Sequence, residues 1–348
     1  MAKLKALFIG GTGVISTDIS RLVAIHPDWE LTLINRGNSN AKLPSDAKIR
    51  HWALDINNED AVRKQLECES FDVVANFINF DVKSIERDVR LFSGKTKQYI
   101  FISTASAYQK PLSHYKITES TSLANPHWRY SRDKIACEER LMAEYRANGF
   151  PITIVRPSHT YDSCKVPVCI YGKIGPWQVM KRMLEGKPVL VPGDGQTLWT
   201  LTHSTDFARG FIGLMGNVNA IGEAVHITSD ESLTWNQIYM SIGSALGVVP
   251  KLFHVSTDFL VACDSAYEGP LLGDKANTVV FDNSKIKRLV PGFVATTRFD
   301  QGVRISVDYF LNNVHAQVED PEFERFTEAV IAVQKQACEA FRKVIKCI

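Results

Sequence analysis

Short apolar runs rich in β-branched residues alternate with segments of helical spacing through the first 160 residues. The apolar runs predict buried strands, and the segments between them have the three- and four-residue spacing of amphipathic helices. The predicted strands cover residues 5–9, 29–35, 48–54, 71–77, 97–103 and 151–157. Strands that alternate with helices in this way predict an α/β fold with a Rossmann-type, doubly wound parallel sheet.

The first predicted strand runs directly into a glycine-rich turn and then into a helix. The stretch LFIGGTGVISTDISRLV places Gly10, Gly11 and Gly13 between the two. Glycines let a backbone approach a phosphate closely, and a helix N-terminus offers N–H groups and the positive end of its dipole. The turn therefore favours a cofactor site, although a tight strand-to-helix turn without a ligand has the same pattern.

The composition is that of an ordinary globular protein of 348 residues, long enough for two domains or one domain with an inserted lobe. The net charge is +2, with both signs interspersed, so no nucleic-acid surface is expected. The apolar run in the N-terminal stretch MAKLKALFIGG is too short for a signal peptide or a membrane span. The seven scattered cysteines include no C-x-x-C pair, which favours reduced thiols in a cytoplasmic protein and no metal site.

The end of the second predicted strand carries a cation where NAD-binding folds have a carboxylate. That carboxylate accepts hydrogen bonds from the ribose hydroxyls of NAD. Here the stretch LINRGNSN has Asn35 followed by Arg36. A carboxylate would repel a 2′-phosphate, whereas an arginine pairs with it through charge-assisted hydrogen bonds. The sequence therefore favours NADP(H) over NAD(H), and the alternative is an arginine on a solvated loop.

Two further segments carry residues suited to hydride transfer at an alcohol or a ketone. The stretch FISTASAY ends the fifth predicted strand at Thr104, and YSRDK places Tyr130 and Lys134 one helical turn apart. A tyrosine hydroxyl has a pKa near ~10, too high for a base at neutral pH. A lysine ammonium one turn away favours the phenolate, so that Tyr130 becomes a usable acid and base. Thr104 would hydrogen-bond the same substrate oxygen.

The ordered set of glycine loop, strand-end Ser-Thr, Tyr-x-x-x-Lys and strand Arg-Pro resembles the extended short-chain dehydrogenase/reductases, the NAD-dependent epimerase/dehydratase family. The loop is similar to the family's T-G-x-x-G-x-x-G, with Ser16 in place of the third glycine. The stretch IVRPSHTYD resembles the segment R-P-x-N-x-Y-G. The stretch GDGQTLWTLTHSTDF resembles G-D-G-x-x-x-R-D-F-x-H-V-x-D. The resemblance covers about residues 4 to 311.

The resemblance implies which residues form the site. The expected catalytic residues are Thr104, Tyr130 and Lys134. The expected cofactor-binding residues are Gly10, Thr12, Gly13, Val14, Ile15, Asn35, Arg36, Asp55, Ile56, Tyr130, Lys134 and Pro157. The expected substrate-binding residues are Thr104, Ser106, His159 and Trp199. Asp55 resembles the family's adenine-contacting aspartate, although a helix cap would also place an aspartate there.

The resemblance also implies a division into domains. An NAD(P)-binding Rossmann domain is expected over 1–157, followed by a smaller, mixed α/β substrate lobe over 158–311 with some segments returning to the Rossmann sheet. A helical extension is expected over 312–348, where apolar residues from Phe323 to Val344 recur every three or four positions. This helix either packs on its own domain or forms an intermolecular seam.

Three departures from the family pattern bear on the substrate. The arginine that grips a diphosphate in the family corresponds to Trp199, which can stack on a ring but cannot neutralise a diphosphate. His159 replaces the substrate-contacting asparagine. Ala105 and Ser106 replace the Asp-Glu pair of the 4,6-dehydratases, which disfavours elimination. A nucleotide sugar and a smaller or differently charged sugar-like substrate both remain open.

These observations predict an NAD(P)-dependent epimerase of a sugar or nucleotide sugar, which acts through a transient keto intermediate. One alternative, favoured by Arg36, is an NADPH-dependent reductase or dehydrogenase of a sugar-like carbonyl compound. A second alternative is a non-catalytic binding member of the fold, since a fold alone does not fix function. The expected cofactor is NADP, or else NAD, and the expected assembly is a homodimer. No nucleic acid, membrane or metal partner is expected.

Overall fold

The computed structural model of the protein describes residues 3–36, 43 and 48–345. The strands are β1 (Leu4–Ile9), β2 (Trp29–Asn35), β3 (Ile49–Ala53), β4 (Val73–Asn76), β5 (Tyr99–Ile102), β6 (Lys116–Ile117), β7 (Ile152–Pro157), β8 (His159–Tyr161), β9 (Pro188–Pro192), β10 (Leu198–Trp199), β11 (Leu201–His203), β12 (Ala224–Ile227), β13 (Leu233–Thr234), β14 (Lys251–Val255) and β15 (Val280–Phe281).

The helices are α1 (Ser16–Ile25), α2 (Glu59–Leu66), α3 (Val82–Phe92), α4 (Arg129–Asn148), α5 (Trp177–Leu184), α6 (Ser204–Leu214), α7 (Trp235–Ala245), α8 (Thr257–Cys263), α9 (Glu268–Pro270), α10 (Ser284–Leu289), α11 (Phe299–Asn312) and α12 (Pro321–Ile345). Short 3₁₀ turns cover Ala105–Ala107, Val218–Ala220, Ser265–Tyr267 and Val314–Ala316, and a π-helical turn covers Leu271–Lys275. Within the described part of the chain, none of the helices is both long and apolar enough to cross a lipid bilayer.

Seven strands form one sheet in the order β12-β7-β5-β4-β1-β2-β3. Every neighbouring pair in it is parallel. The chain starts in the middle of the sheet at β1, moves outwards to β3, returns to place β4 beside β1, and then moves outwards in the other direction. The order therefore reverses at β1 and β4, which is where sheets of this kind bind ligands at their carboxyl ends. The predicted Rossmann-type sheet is confirmed.

Helices cover both faces of this sheet, and each face has its own apolar core. On one face α1, α6 and α10 pack around a cluster that includes Phe8 and Phe211, whose ring centres are 6.2 Å apart. On the other face α2, α3 and α4 pack around a cluster that includes Ile85 and Leu141. Because its strands are buried on both sides, the sheet shows continuous apolar runs rather than alternating ones.

Local signals set the ends of several helices. Asn58 caps α2 by accepting a hydrogen bond from the backbone N–H of Ala61, and Asp81 caps α3 in the same way from Ser84. Gly149 ends α4 with a φ of +69°, a conformation that favours glycine.

The six predicted strands lie within two residues of the observed bounds. The seventh strand, β12, was not singled out by its pattern, and it joins the sheet beside β7.

The chain divides into two compact units. The first consists of Met1–Asp162, Thr200–Ser232 and Val279–Thr297, and it contains the seven-stranded sheet. The second consists of Ser163–Trp199, Leu233–Thr278 and Arg298–Ile348. This second unit contains the parallel pair β9–β14, the antiparallel pair β10–β13, and helices that include α5, α7, α11 and α12. The first unit thus contains the N-terminal residues together with the two later segments Thr200–Ser232 and Val279–Thr297, and the second unit contains α12.

The two halves of α12 differ in exposure. Phe323 and Val330 in the first half are 4% and 3% exposed. Val333, Phe341 and Val344 in the second half are exposed. The first half therefore packs on its own unit, and an intermolecular seam stays a prediction that concerns the second half.

Candidate active site

A glycine loop joins β1 to α1 at the point where the strand order reverses. Gly10 has a φ of +80°, and a Cβ atom there would lie 2.4 Å from Cγ2 of Ile78, so the position requires glycine. The hydroxyl of Ser16 donates a hydrogen bond to the Gly10 carbonyl and accepts one from the Gly13 N–H, each at 2.8 Å. Ser16 therefore closes the loop as well as occupying the place of the family's third glycine.

A cavity of about 460 Å³ opens beside this loop. The predicted cofactor-binding residues in its wall are Gly10, Thr12, Gly13, Asn35, Arg36, Asp55 and Ile56. The wall is completed by Ile9, Ile34, Leu54, Asn57 and Ile78. The carboxyl ends of β1 and β2 and the segments that follow β3 and β4 thus meet the glycine loop at one cavity, as expected of a dinucleotide site.

Among the described residues of this wall, Arg36 and Asp55 are charged, and both are exposed. Arg36 directly follows β2, and Asn35 ends that strand without the carboxylate that is typical of NAD sites. The Oδ1 atom of Asp55 accepts hydrogen bonds from the backbone and side-chain nitrogens of Asn57, at 2.9 and 3.0 Å. Because Asn58 caps α2, the alternative interpretation of Asp55 as a helix cap is wrong.

Tyr130 and Lys134 lie in the first two turns of α4. Lys134 is 2% exposed, and its Nζ donates hydrogen bonds to the backbone oxygens of Asn79 at 2.5 Å and Ile102 at 2.7 Å. The same Nζ lies 6.0 Å from the centre of the Tyr130 ring. Burial lowers the pKa of the Lys134 ammonium to about 8, so it still carries a charge at neutral pH. A buried cation therefore lies beside the half-buried tyrosine.

A chain of hydroxyl groups joins the end of β5 to the start of α4. Oγ1 of Thr104 lies 2.9 Å from Oγ of Ser106, which lies 2.7 Å from Oγ of Ser131. Ser131 directly follows Tyr130, so two buried serines link the threonine after β5 to the turn of α4 that carries the tyrosine. Ser106 is 4% exposed and serves in this chain, and its contact with substrate stays a prediction.

Two aromatic residues that the sequence analysis did not select flank the tyrosine. The ring centres of Phe80 and Trp128 lie 6.3 and 5.1 Å from that of Tyr130. Nζ of Lys134 lies 4.6 Å from the centre of the Phe80 ring. Trp128 could have been found by its place just before the Tyr-x-x-x-Lys motif. Phe80 belongs to the loop after β4, and no motif in the sequence marks it.

The remaining predicted site residues take different positions. Four of them are buried or partly buried in the first unit: Val14, Ile15, Pro157 and His159. Trp199 belongs to the second unit, where it is 2% exposed and its ring centre lies 5.3 Å from that of Trp235. Trp199 therefore packs within that unit, and its contact with substrate stays a prediction.

The sheet, the glycine loop and the tyrosine–lysine pair correspond to those of a known family. The model of the NAD dependent epimerase/dehydratase family matches residues 6–228. The chain belongs to this family. The predicted membership of the extended short-chain dehydrogenase/reductases, a group of NAD-dependent enzymes, is thereby confirmed.

Two relatives of assigned function differ in what their names describe. The chloroplast stem-loop binding protein of 41 kDa b from Arabidopsis thaliana is 27% identical over 264 residues, which cover 72% of this chain and 65% of that protein. The chain thus spans just under two thirds of the length of this relative. The 2′-dehydrokanamycin reductase from Streptomyces kanamyceticus is 25% identical over 296 residues, which cover 83% of this chain and 80% of that protein.

Solved structures of epimerases have the same fold. An epimerase from Methanothermobacter thermautotrophicus has a TM-score of 0.73 at 16% identity, covering 90% of this chain and 94% of that one. The UDP-glucuronic acid 4-epimerase from Bacillus cereus, in complex with UDP-glucuronic acid and NAD, has a TM-score of 0.70 at 20% identity, covering 89% and 99%. At these identities the likeness supports the fold alone.

Proposed function

We propose that the protein is an NAD(P)-dependent epimerase of a sugar or nucleotide sugar that acts through a transient keto intermediate. The observation that carries the proposal is the pair Tyr130 and Lys134 on α4. Lys134 donates a hydrogen bond to the Ile102 carbonyl at the end of β5. Ser131, the residue after Tyr130, is linked to Thr104 through the hydroxyl of Ser106. A tyrosine beside a buried cation suits proton transfer to and from a ring hydroxyl. Ala105 and Ser106 provide no acid–base pair for elimination, which argues against a dehydratase.

The residues around the cavity fit NAD(P). Gly10 has no side chain and packs against Ile78, and α1 begins after the loop at Ser16, so a pyrophosphate there would meet backbone and a helix N-terminus. Asn35 and Arg36 would hold the ribose end, and Asp55 would lie at the adenine end. When bound there, NAD(P) supplies a centre that accepts a hydride and returns it.

The chain's own residues would move the proton. Tyr130, as phenolate, takes the proton of a ring hydroxyl while the carbon that bears this hydroxyl gives up its hydride. The Lys134 ammonium stabilises the phenolate, and Thr104 hydrogen-bonds the substrate oxygen. When bound NAD(P)H supplies the hydride to the opposite face of the keto group, Tyr130 would return the proton to the oxygen. The sugar is inverted at one carbon, and no reductant is consumed.

Arg36 supports a second candidate, an NADPH-dependent reductase of a sugar-like carbonyl compound. A guanidinium at the ribose end of the cavity suits the 2′-phosphate of NADP(H), which is why we propose NADP(H) as the preferred cofactor. A reductase exchanges its cofactor at every turnover, and one relative of the chain is named as a 2′-dehydrokanamycin reductase. A homodimer, a cytoplasmic location and a small sugar-like substrate belong to the same set of proposals.

The nucleotide that copurifies with the full chain tests these candidates. The purified protein is diluted and passed through a desalting column, and the nucleotide in the protein fraction is identified by mass spectrometry after denaturation. Retained oxidised cofactor, together with inversion of a sugar stereocentre, supports the epimerase. Stoichiometric oxidation of freely exchanging NADPH by a keto sugar supports the reductase. Cofactor binding without either reaction across a panel of sugars and nucleotide sugars would contradict both and favour the non-catalytic alternative.

A further inference from the structure

A buried ion pair lies on α3, outside the residues so far assigned to the site. Asp88 is 0% exposed and Arg87 is 7% exposed. Nε and Nη2 of Arg87 donate hydrogen bonds to Oδ1 of Asp88 at 2.9 and 2.7 Å. Oδ2 of Asp88 accepts three more hydrogen bonds, from the side chains of Asn76, Asn79 and Tyr99, at 2.6, 2.7 and 2.5 Å. A buried carboxylate with this many donors is fully paired.

Asn79 connects this pair to the catalytic lysine. Its side-chain Nδ2 donates to Asp88 and to the hydroxyl of Tyr99, and its Oδ1 accepts from Nη2 of Arg87 at 2.8 Å. The whole side-chain amide is thus fixed by buried groups. The backbone oxygen of the same residue accepts the 2.5 Å hydrogen bond from Nζ of Lys134. The position of that carbonyl therefore depends on the ion pair.

The same pair reaches the wall of the cofactor cavity at two points. Nη1 of Arg87 donates to Oδ1 of Asn57 at 2.6 Å, and Asn57 holds the carboxylate of Asp55. Asn76, held by Asp88, accepts a hydrogen bond from the backbone N–H of Ile78 at 2.9 Å. Asn57, Asp55 and Ile78 all line the cavity.

We propose that Asp88 and Arg87 are positioning residues for the hydride-transfer site: they fix Asn79, so that its carbonyl holds the Lys134 ammonium beside Tyr130, and they anchor the cavity wall at Asn57 and Ile78. The proposal rests on the proposed function for its effect on turnover. Its structural part, the placement and charge of Lys134, can be measured without cofactor or substrate.

The groups that face Lys134 come from α4, from β5 and from the segment between β4 and α3. The rings of Phe80 and Phe101 lie 4.6 and 4.8 Å from its Nζ. The titratable groups that interact with it are Tyr130, Cys137 and Glu138 of α4, and Cys137 in turn interacts with Asp133 of α4 and with Asp81 before α3. Glu138 is itself paired with Arg156. Burial outweighs the nearby acidic groups, so the ammonium depends on the carbonyl oxygens of Asn79 and Ile102.

The variant Asp88→Asn tests the proposal. It leaves the guanidinium of Arg87 uncompensated near Asn79 and loosens the carbonyl that Lys134 uses, and both changes disfavour the ammonium. We expect the pKa of Lys134 to fall below about 8. The pKa is read in the cofactor-free protein from the rate at which acetic anhydride labels Lys134 as a function of pH, quantified by peptide mass spectrometry.

Turnover provides a second readout. In Asp88→Asn the alkaline decline of kcat should move to lower pH, with a loss on the order of tenfold to a hundredfold at pH 8 that is partly recovered at pH 6. A purely structural role would lower activity at every pH by the same factor. Arg90→Gln is the matched control, because Arg90 lies on the same helix but pairs with Glu59 at the surface. It should change neither profile.

Tyr99→Phe covers the case in which Asp88→Asn does not fold, since removal of one partner of a buried pair is strongly destabilising. The new ring keeps the packing against Phe92 and Phe150 and removes only the hydroxyl that donates to Asp88. A smaller shift of the Lys134 labelling profile in the same direction is expected. An unchanged labelling profile in every folded variant would overturn the proposal. A shifted profile in a protein without hydride-transfer activity would uphold the positioning role and contradict the proposed function instead.

Discussion

The two ends of the candidate site differ in how their charged residues are held. At the end that carries the proposed catalytic residues, Lys134 is 2% exposed and donates hydrogen bonds to the backbone oxygens of Asn79 and Ile102. The side chain of Asn79 in turn donates to the buried Asp88. At the ribose end Arg36 is exposed and lies at the edge of the cavity. The position of the Lys134 ammonium thus depends on burial and on contacts with residues distant in sequence. The position of the Arg36 guanidinium depends only on its place directly after β2.

This difference determines how each end should respond to substitution. A buried charge in a low-dielectric site interacts strongly with its neighbours, and the loss of one neighbour is expensive. An exposed charge is screened by water and salt, so its contribution is modest and adjustable. Substitutions around Lys134 should therefore lower the rate of hydride transfer strongly. Substitutions at Arg36 should change the preference between NADP(H) and NAD(H) by a modest factor.

The largest effect is expected from Tyr130→Phe. The variant removes the hydroxyl that moves the substrate proton in the proposed mechanism, and groups of this kind typically contribute about a hundredfold to ten-thousandfold to the rate. Cofactor affinity should change little, because the ring remains between Phe80 and Trp128. Single-turnover hydride transfer and cofactor titration measure the two quantities separately. Turnover close to that of the unmodified enzyme would remove Tyr130 from the mechanism.

The next effect is a pH dependence at the same end. Since burial lowers the pKa of Lys134 to about 8, its charged form is present below that pH and is lost as the pH rises through it. Hydride transfer should therefore decline above pH 8, by about tenfold per pH unit once the ammonium is neutral. Lys134→Arg stays charged in this range and should lose the decline, whatever its overall rate. A decline that persists in this variant would have to come from another group.

The two ends also differ in how far the sequence predicts them. Asn35 ends one strand of the sheet, and the glycine loop, Arg36 and Asp55 follow strands of the same sheet. Strand prediction alone therefore places them at one edge, and they do line one cavity. The buried pair of α3 carries no such signal. Asp88 lies in a segment with helical spacing, and only the fold shows that its carboxylate accepts hydrogen bonds from Asn79 and Tyr99.

The packing of two residues expected to bind substrate could not be predicted from the sequence. Trp199 takes the place of a family arginine, and its ring packs against that of Trp235, which begins a helix more than thirty residues later. Ser106 was selected by its place after Thr104, and its hydroxyl is taken up by Ser131. Such contacts depend on side-chain packing between distant segments, which spacing along the chain does not encode.

At the ribose end, Arg36→Asp should weaken NADP(H) binding much more than NAD(H) binding. The new carboxylate repels a 2′-phosphate and can accept hydrogen bonds from ribose hydroxyls. Because Arg36 is exposed, we expect a loss near the low end for charge-assisted contacts, about tenfold in the dissociation constant of NADP(H). Titrations of both cofactors at low and high salt measure it.

Arg36→Gln serves as the control for this substitution, since it removes the positive charge without adding a negative one. It should give a smaller loss of NADP(H) affinity and leave NAD(H) affinity unchanged. The preference of the unmodified protein should also weaken as salt is added, since the contact is screened. Equal affinities for both cofactors in the unmodified protein would contradict the preference for NADP(H).

The smallest effect is expected from Ser16→Gly, which restores the third glycine of the family motif in the glycine loop. Ser16 is 1% exposed, and its hydroxyl bridges Gly10 and Gly13, so the change removes two hydrogen bonds and adds backbone freedom at the start of α1. Each lost bond is worth about 1 kcal/mol net, and thermal melting should shift down by a few degrees, roughly 2–4 °C. The released Gly13 N–H could then bond a phosphate, so cofactor affinity should change less than about threefold in either direction. A loss of cofactor affinity as large as that of Arg36→Asp would contradict this expectation. It would show that the shape of the glycine loop depends on the buried hydroxyl of Ser16, as the position of Lys134 depends on its buried partners.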